Sequence, residues 1–223
     1  MLKVDQLFKK FGSKIIVNRV SFAVDSEIRV VVGLNGSGKS TLLKVMAGIW
    51  PQDGGSVFIG DRNMTHLAPE DRQVGYVPQH PALFRTMTVK ENIRYCLRNG
   101  RGSEEMVENL IEMLELGEIL HQRADTLSGG FQSRVSMARA LASNPQVMLL
   151  DEPLSDLDVA IKEKLLPQFK KALKALRMPV VYVTHDAMEA DVMGDRFSVM
   201  VRGNLSGIGS AQEAFDVVRS NVS

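Results

Sequence analysis

The apolar residues do not keep one spacing along the chain, and the changes outline its elements. The first stretch and the segment Val57-Phe58-Ile59-Gly60 read as short strands and turns, with Ile15-Ile16-Val17 and Val20-Ser21-Phe22-Ala23-Val24 among them, which predicts an antiparallel layer. Three later runs, Arg29-Val30-Val31-Val32, Val147-Met148-Leu149-Leu150 and Val180-Val181-Tyr182-Val183, show no apolar/polar alternation. Strands buried on both faces of a parallel sheet have that pattern, so these are the predicted central strands. Val107, Leu110, Ile111 and Leu114 fall on one helical face, and Ser103 can cap that helix. A second helix is expected to open at Ser128 and to end before Asn144-Pro145, because proline disfavours helical geometry in the residue before it. Ser210-Ala211-Gln212-Glu213 has capping-box spacing ahead of Phe215 and Val218 and predicts a closing helix.

Polar residues follow each predicted central strand. A Gly-rich segment follows the first, Asp151-Glu152 the second and Thr184-His185-Asp186 the third. In open parallel sheets, ligands bind outside the carboxyl ends of the strands, so these distant segments are expected to converge on one site.

Composition narrows the partners little. The 223 residues carry a net charge of +1, with 44% hydrophobic and 24% charged residues, the values of an ordinary packed domain without a field that would draw nucleic acid. One domain spanning 1–223 is the expectation, since no repeat, low-complexity tract or linker divides the chain. The single cysteine, Cys96, permits no intrachain disulfide and no Cys-x-x-Cys motif, as suits a reducing cytoplasm. No apolar run reaches the ~18 residues of a membrane span, and the N-terminus lacks the apolar core of a signal peptide. Work at a membrane would therefore need a partner.

The segment Gly33-Leu34-Asn35-Gly36-Ser37-Gly38-Lys39-Ser40 matches the phosphate-loop pattern, whose glycines let backbone N–H groups turn toward phosphate at the start of a helix. Lys39 is expected to meet the β- and γ-phosphates of ATP and Ser40 to ligate Mg²⁺, with Thr41 next in line at the helix start. Of the paired acids Asp151 and Glu152, one can hold Mg²⁺ through water while the other aligns the attacking water. His185 taken alone would be a capping or surface histidine; its place after a buried strand puts it beside the γ-phosphate.

Leu127-Ser128-Gly129-Gly130, Gln79 after Tyr76-Val77-Pro78, and Ser155-Asp156-Leu157-Asp158 stand in the order found in the ATP-binding-cassette ATPases, and the chain resembles that family over nearly its whole length. The resemblance implies an α/β fold: a P-loop NTPase core with a mainly parallel sheet, an N-terminal antiparallel β layer and a helical subdomain at approximately 82–142. It implies a head-to-tail pair of ATPase subunits in which Ser128, Gly129 and Gly130 complete the nucleotide site of the opposite subunit. It makes Phe11 the adenine-stacking aromatic, Gln79 a sensor of Mg²⁺ and of the transport partner, Glu152 the general base, His185 the γ-phosphate switch and Asp158 a cross-subunit contact. Core packing with Phe8 or Phe22 is the alternative for Phe11. Phe131 departs from the family, which usually has glutamine there, and any polar side-chain contact from that position would be lost.

Pro81-Ala82-Leu83-Phe84, Met87–Ile93 and Glu152-Pro153-Leu154-Ser155 look like the importer ATPases that serve inorganic anions and sugars, with molybdate and tungstate importers the nearest expectation. The implied partners are a second ATPase subunit, transmembrane permease subunits and, indirectly, an extracytoplasmic solute-binding protein, with no nucleic acid. The implied place is the cytoplasmic face of the membrane. After Gln79, Leu83, Phe84 and Ile93 would line a groove for a permease helix or fill the core. A C-terminal regulatory domain, which many importer ATPases carry, is not expected. A scaffold that dimerises on ATP without turnover, a small-molecule kinase and a cassette ATPase outside transport are the competing functions. Glu152 and His185 argue against the first, the Leu127–Gly130 signature against the second, and the lack of a coiled-coil insertion or second cassette against the third.

Overall fold

The computed structural model describes residues 1–221, and among these ten strands and seven α-helices follow one another. The N-terminal half contains β1 (Leu2–Phe11), β2 (Lys14–Val24), β3 (Ile28–Val32), α1 (Lys39–Met46), β4 (Gly54–Ile59), β5 (Arg62–Asn63) and β6 (Val74–Val77). Then come α2 (Val89–Arg94), α3 (Glu104–Met113), α4 (Gly129–Ala142), β7 (Val147–Asp151), α5 (Val159–Ala175) and β8 (Val180–Thr184). The chain continues through α6 (Ala187–Met193), β9 (Arg196–Val201), β10 (Asn204–Ile208) and α7 (Ala211–Ser220).

The expected antiparallel layer is a sheet in the order β2-β1-β4-β5. The expected parallel strands sit side by side inside a second sheet of order β10-β9-β3-β8-β7-β6, parallel except for the edge strand β10. Their lack of alternation has a visible cause. Val30, Val32, Met148, Leu150, Val180 and Tyr182 enter the core shared with α4 and α5, whereas Val31, Val147, Leu149, Val181 and Val183 enter the core shared with α1 and the antiparallel sheet. Successive side chains of a strand point to opposite faces, and here both faces are apolar. Burying each such side chain is worth roughly 1.5–3 kcal/mol.

Side-chain caps open α2, α3, α6 and α7, whereas Ser128 and Asp158 precede α4 and α5 without a side-chain capping bond. Ser103 accepts a hydrogen bond from Met106 N–H at the start of α3, and Ser210 accepts one from Glu213 N–H at the start of α7. The reciprocal bond of a capping box is displaced: the Glu213 carboxylate accepts from Gly209 N–H at 3.0 Å, one residue earlier than the spacing implies. The full box lies at α2, between Thr88 and Glu91. Pro167 lies inside α5, where it removes one i→i−4 bond without ending the helix. No helix among the described residues is long and apolar enough to cross a membrane.

One buried side chain ties the two layers together behind the Gly-rich loop. Arg72, 2% exposed, donates to Val45 O (3.1 Å) and Met46 O (3.0 Å) at the end of α1. It also donates to Leu67 O and Thr65 O, both at 2.9 Å, in the loop after β5. The cation donates to carbonyls of the last helical turn, of which Val45 O also accepts from Gly48 N–H, and sits at the negative end of the helix dipole. Burial pulls the Arg72 pKa below the usual guanidinium value, yet the four carbonyls hold the group in place. Arg72→Met keeps the length of the stem and removes the four hydrogen bonds that the guanidinium donates. It is expected to lower stability by about 2–4 kcal/mol, read as a lower urea midpoint at unchanged m-value.

Candidate functional site

The Gly-rich loop leaves the carboxyl end of β3 and turns into α1 through two residues in the left-handed region, Gly36 (φ 81°) and Gly38 (φ 110°). At Gly38 a Cβ would lie 2.4 Å from the carbonyl oxygen of Ile16 on β2, so both conformation and space demand glycine. At Gly33 a Cβ would lie 2.5 Å from Met200 O. Ser37 N–H donates to Leu34 O at 3.1 Å, and Gly203 N–H donates to Ser37 O at 3.0 Å, which fastens the loop to the turn between β9 and β10. Lys39, 4% exposed, is the first residue of α1. Its ammonium donates to Gly33 O (2.8 Å) and Leu34 O (3.1 Å), so the cation is centred within the loop.

The carboxyl end of β7 brings its two acids against this loop in different ways. Asp151, 3% exposed, accepts from the Ser40 hydroxyl at 2.8 Å on Oδ1 and from the Tyr76 hydroxyl at 2.9 Å on Oδ2. Burial and then the Asp151 charge push the Tyr76 phenol far above its ordinary value, so Tyr76 is a permanent donor that orients the carboxylate. Glu152 sits at φ 47°, an uncommon conformation for a non-glycine residue, and its N–H donates to Val183 O on the neighbouring strand at 3.1 Å. That turn aims its carboxylate between two partners: Oε1 is 3.1 Å from Lys39 Nζ, and Oε2 is 2.8 Å from His185 Nδ1. A carboxylate only accepts, so this imidazole contact is a hydrogen bond when Nδ1 carries the proton. His185 follows β8 and keeps 47% of its side chain exposed.

A cleft of about 440 Å³ opens over the loop, lined by Phe11, Lys14, Ile16, Asn35, Gly36, Gly38, Lys39, Ser40, Thr41, Gln79 and Glu152. Phe11 is 47% exposed and meets Trp50 edge-on at 5.2 Å between ring centres. It therefore does not fill the core with Phe8 or Phe22, the packing that the sequence also allowed. Gln79 Nε2 donates to Ser155 Oγ at 3.3 Å, linking the segment after β6 to the one after β7. Ser128, Gly129, Gly130 and Asp158 do not line this cleft. They form a separate group, in which the start of α4 seats on α5: a Cβ on Gly129 would lie 3.0 Å from Leu157, and one on Gly130 3.2 Å from Ile161. Ser128, Gly129 and Asp158 are exposed. Phe131 is half-buried, packed against the main core with the Arg134 guanidinium 5.4 Å from its ring, while the next residue, Gln132, donates back to Leu127 O at 3.0 Å. Tyr76, Lys14, Ile16 and Trp50 join the site without having been singled out for it. Only Tyr76 carried a signal, as a hydroxyl in an apolar strand.

A twisted parallel sheet with a phosphate loop at its carboxyl edge, a lysine centred in that loop and an acid bonded to the serine after it define a P-loop nucleotide-binding domain. The family model described as ABC transporter matches residues 17–155, more than half of the chain. The molybdate/tungstate import ATP-binding protein WtpC of Methanocaldococcus jannaschii is 40% identical over 94% of this chain and 70% of its own length. The sulfate/thiosulfate import ATP-binding protein CysA of Synechococcus elongatus is 39% identical over 96% of the chain and 64% of its own length. The diacetylchitobiose uptake ATP-binding protein MsiK of Streptomyces coelicolor is 40% identical over 86% of the chain and 52% of its own length, so the chain spans only about half to two thirds of some relatives. Among solved structures, the ADP conformation of MJ1267, an ATP-binding cassette of an ABC transporter, superposes with a TM-score of 0.84 at 26% identity, covering 100% of this chain and 96% of that one. The dimeric bacterial ABC transporter cassette MJ0796 gives 0.80 at 30% identity, covering 92% and 97%. The chain belongs to the ABC transporter family, as one of its ATP-binding, ATP-hydrolysing cassettes.

The two left-handed glycines separate conformation from space. Gly36→Ala, with nothing within 4 Å of the new Cβ, is expected to cost only the ~1–2 kcal/mol of left-handed backbone. Gly38→Ala adds a collision with Ile16 O and should lower the urea-derived stability by clearly more, about 2 kcal/mol or above, with nucleotide binding lost alongside.

Proposed function

We propose that this cassette binds Mg-ATP in the cleft over the Gly-rich loop, hydrolyses it within a head-to-tail dimer, and thereby powers an importer for an inorganic anion such as molybdate or tungstate. The observation that carries the reading is the meeting of two bonded groups from three strand ends, Ser40 with Asp151 and Lys39 with Glu152 and His185. Relatives named for anion import support the cargo class; others named for glycerol-3-phosphate and sugars leave it the finest part of the proposal. The working unit includes permease subunits at the cytoplasmic face of the membrane and, through them, a solute-binding protein.

In this reading Lys39 leaves the Gly33 and Leu34 carbonyls and the Glu152 carboxylate for the β- and γ-phosphates, which offer more negative charge to the same ammonium. Loop N–H groups and the start of α1 hold the phosphate chain, and Phe11 gives the base a face to stack on. The hydroxyl of Ser40 and the carboxylate of Asp151 are hard oxygen donors set side by side, with the Gln79 amide on the same cleft, and they fit magnesium. Among the described residues no cluster of three or more His, Cys, Asp or Glu could hold a metal alone, which suits an ion that shares its coordination with phosphate. When bound, magnesium supplies neutralisation of the phosphate charge. Freed from Lys39, Glu152 accepts or orients the proton of the attacking water, and His185 fixes the carboxylate and reaches the γ-phosphate. The exposed Ser128, Gly129 and Asp158, with Gly130 buried behind them, would complete the cleft of a second copy, with α4 directing its positive end at the γ-phosphate.

Glu152→Gln keeps the shape while removing the base, so ATP binding should persist and turnover fall by about 10²- to 10⁴-fold. Lys39→Ala should instead remove most nucleotide affinity in a folded protein. Nucleotide titration and phosphate release separate the two; parental turnover in Glu152→Gln would overturn the catalytic assignment.

A further inference from the structure

The turn that carries His185 is held from beneath by a buried charge cluster. Glu189 on α6 is 1% exposed, and its Oε2 accepts from the Tyr182 hydroxyl (2.9 Å) and the Thr184 hydroxyl (2.8 Å) at the end of β8. Its Oε1 lies 2.8 Å from Lys162 Nζ, so that oxygen is held by the ammonium. The same ammonium donates to Asp186 Oδ2 at 2.8 Å. Asp186 in turn caps α6 through Met188 and Glu189 N–H, and its own N–H donates to Thr184 Oγ1 at 3.0 Å. Both neighbours of His185 are therefore bound into a cluster whose only cation is Lys162. Burial acts to lower the Lys162 pKa and to raise that of Asp186, but their contacts override it, and Lys162 lies above and Asp186 below the ordinary value.

Lys162 belongs to the first turn of α5. Its N–H donates to Asp158 O at 3.0 Å, and Asp158 is the cap residue of that helix, exposed beside the start of α4. Lys162 thus connects, by its backbone N–H on one side and its ammonium on the other, the segment at Ser155–Asp158 with the turn that aims His185 at Glu152. Keeping the Lys162 ammonium and the Glu189 carboxylate desolvated has a cost that an apolar packing would avoid.

We propose that Lys162 is a positioning residue for hydrolysis: it fixes the His185 turn against the start of α5, so that the placement of His185 on Glu152 follows the position of the Asp158 segment. The proposal rests on the role given above to His185 and Glu152. It makes turnover responsive to whatever docks at Asp158, while nucleotide affinity depends on the Gly-rich loop and is untouched.

The experiment measures ATP turnover of the chain and of Lys162→Met, Lys162→Arg and His185→Ala, with circular dichroism to confirm folding. Lys162→Met is expected to lower kcat by about 10- to 100-fold with KM within about threefold, and Lys162→Arg, which keeps charge and reach, to restore most of it. In the His185→Ala background Lys162→Met should cost little more, since both act on one element. A folded Lys162→Met enzyme with parental kcat overturns the proposal, as does a loss that multiplies fully with that of His185→Ala. If Lys162→Met does not fold, Asp186→Asn, which retains the cap acceptor and removes the charge, is read by the same criteria. Glu152→Gln in parallel keeps the two claims apart: parental turnover there sinks the underlying reading, whereas an inactive Glu152→Gln beside a fully active Lys162→Met sinks only the positioning role.

Discussion

The strands β3, β8 and β7 are apolar on both faces because helices cover one side and a second sheet the other. A strand so placed can show functional groups only where it ends. This constraint brings Gly33–Ser40, Asp151–Glu152 and His185 together although more than a hundred residues separate the first from the second. It also sets the chemistry of the meeting point, where an ammonium and two carboxylates sit at most 5% exposed and each charge must find its partner within the cluster. Lys39 satisfies carbonyls of its own loop and Glu152; Asp151 takes hydroxyls on both oxygens.

The charged and polar groups of the cleft partner one another. Glu152 is the acidic partner of Lys39, and Asp151 that of the Ser40 hydroxyl. The glycine conformations, the helix start and the acid orientations are already in place, so the binding proposed above would exchange these contacts without having to create order. The left-handed Glu152 belongs to the same economy: a strained backbone, kept by a bond to Val183, turns the carboxylate away from the direction of Asp151.

Much of this was legible in residues. Runs without alternation marked the three central strands, because burial on both faces leaves no polar positions to alternate. The loop, the acid pair and the histidine were legible because polar residues directly after such runs have few structural uses. Edge elements were harder. β9 and β10 mix polar and apolar residues at the rim of the sheet, and α5 contains Pro167, which reads as an interruption although the helix passes through it. Trp50 and Lys162 were out of reach for another reason. Each acts through a neighbour distant in sequence, and no local spacing records that Lys162 would meet residues from the turn after β8.

The edge-on contact between Phe11 and Trp50 gives the molecule a property unrelated to its chemistry. Trp50 is the chain's only tryptophan, and its ring also lies 4.8 Å from the Lys44 ammonium on α1, the helix that grows out of the phosphate loop. Its emission therefore comes from one known place, within a ring's reach of the cleft's outer wall and of the loop's own helix. A planar group stacking on Phe11, or a shift of α1, alters the surroundings of that one indole, and the protein carries an intrinsic optical gauge of its cleft with no label added.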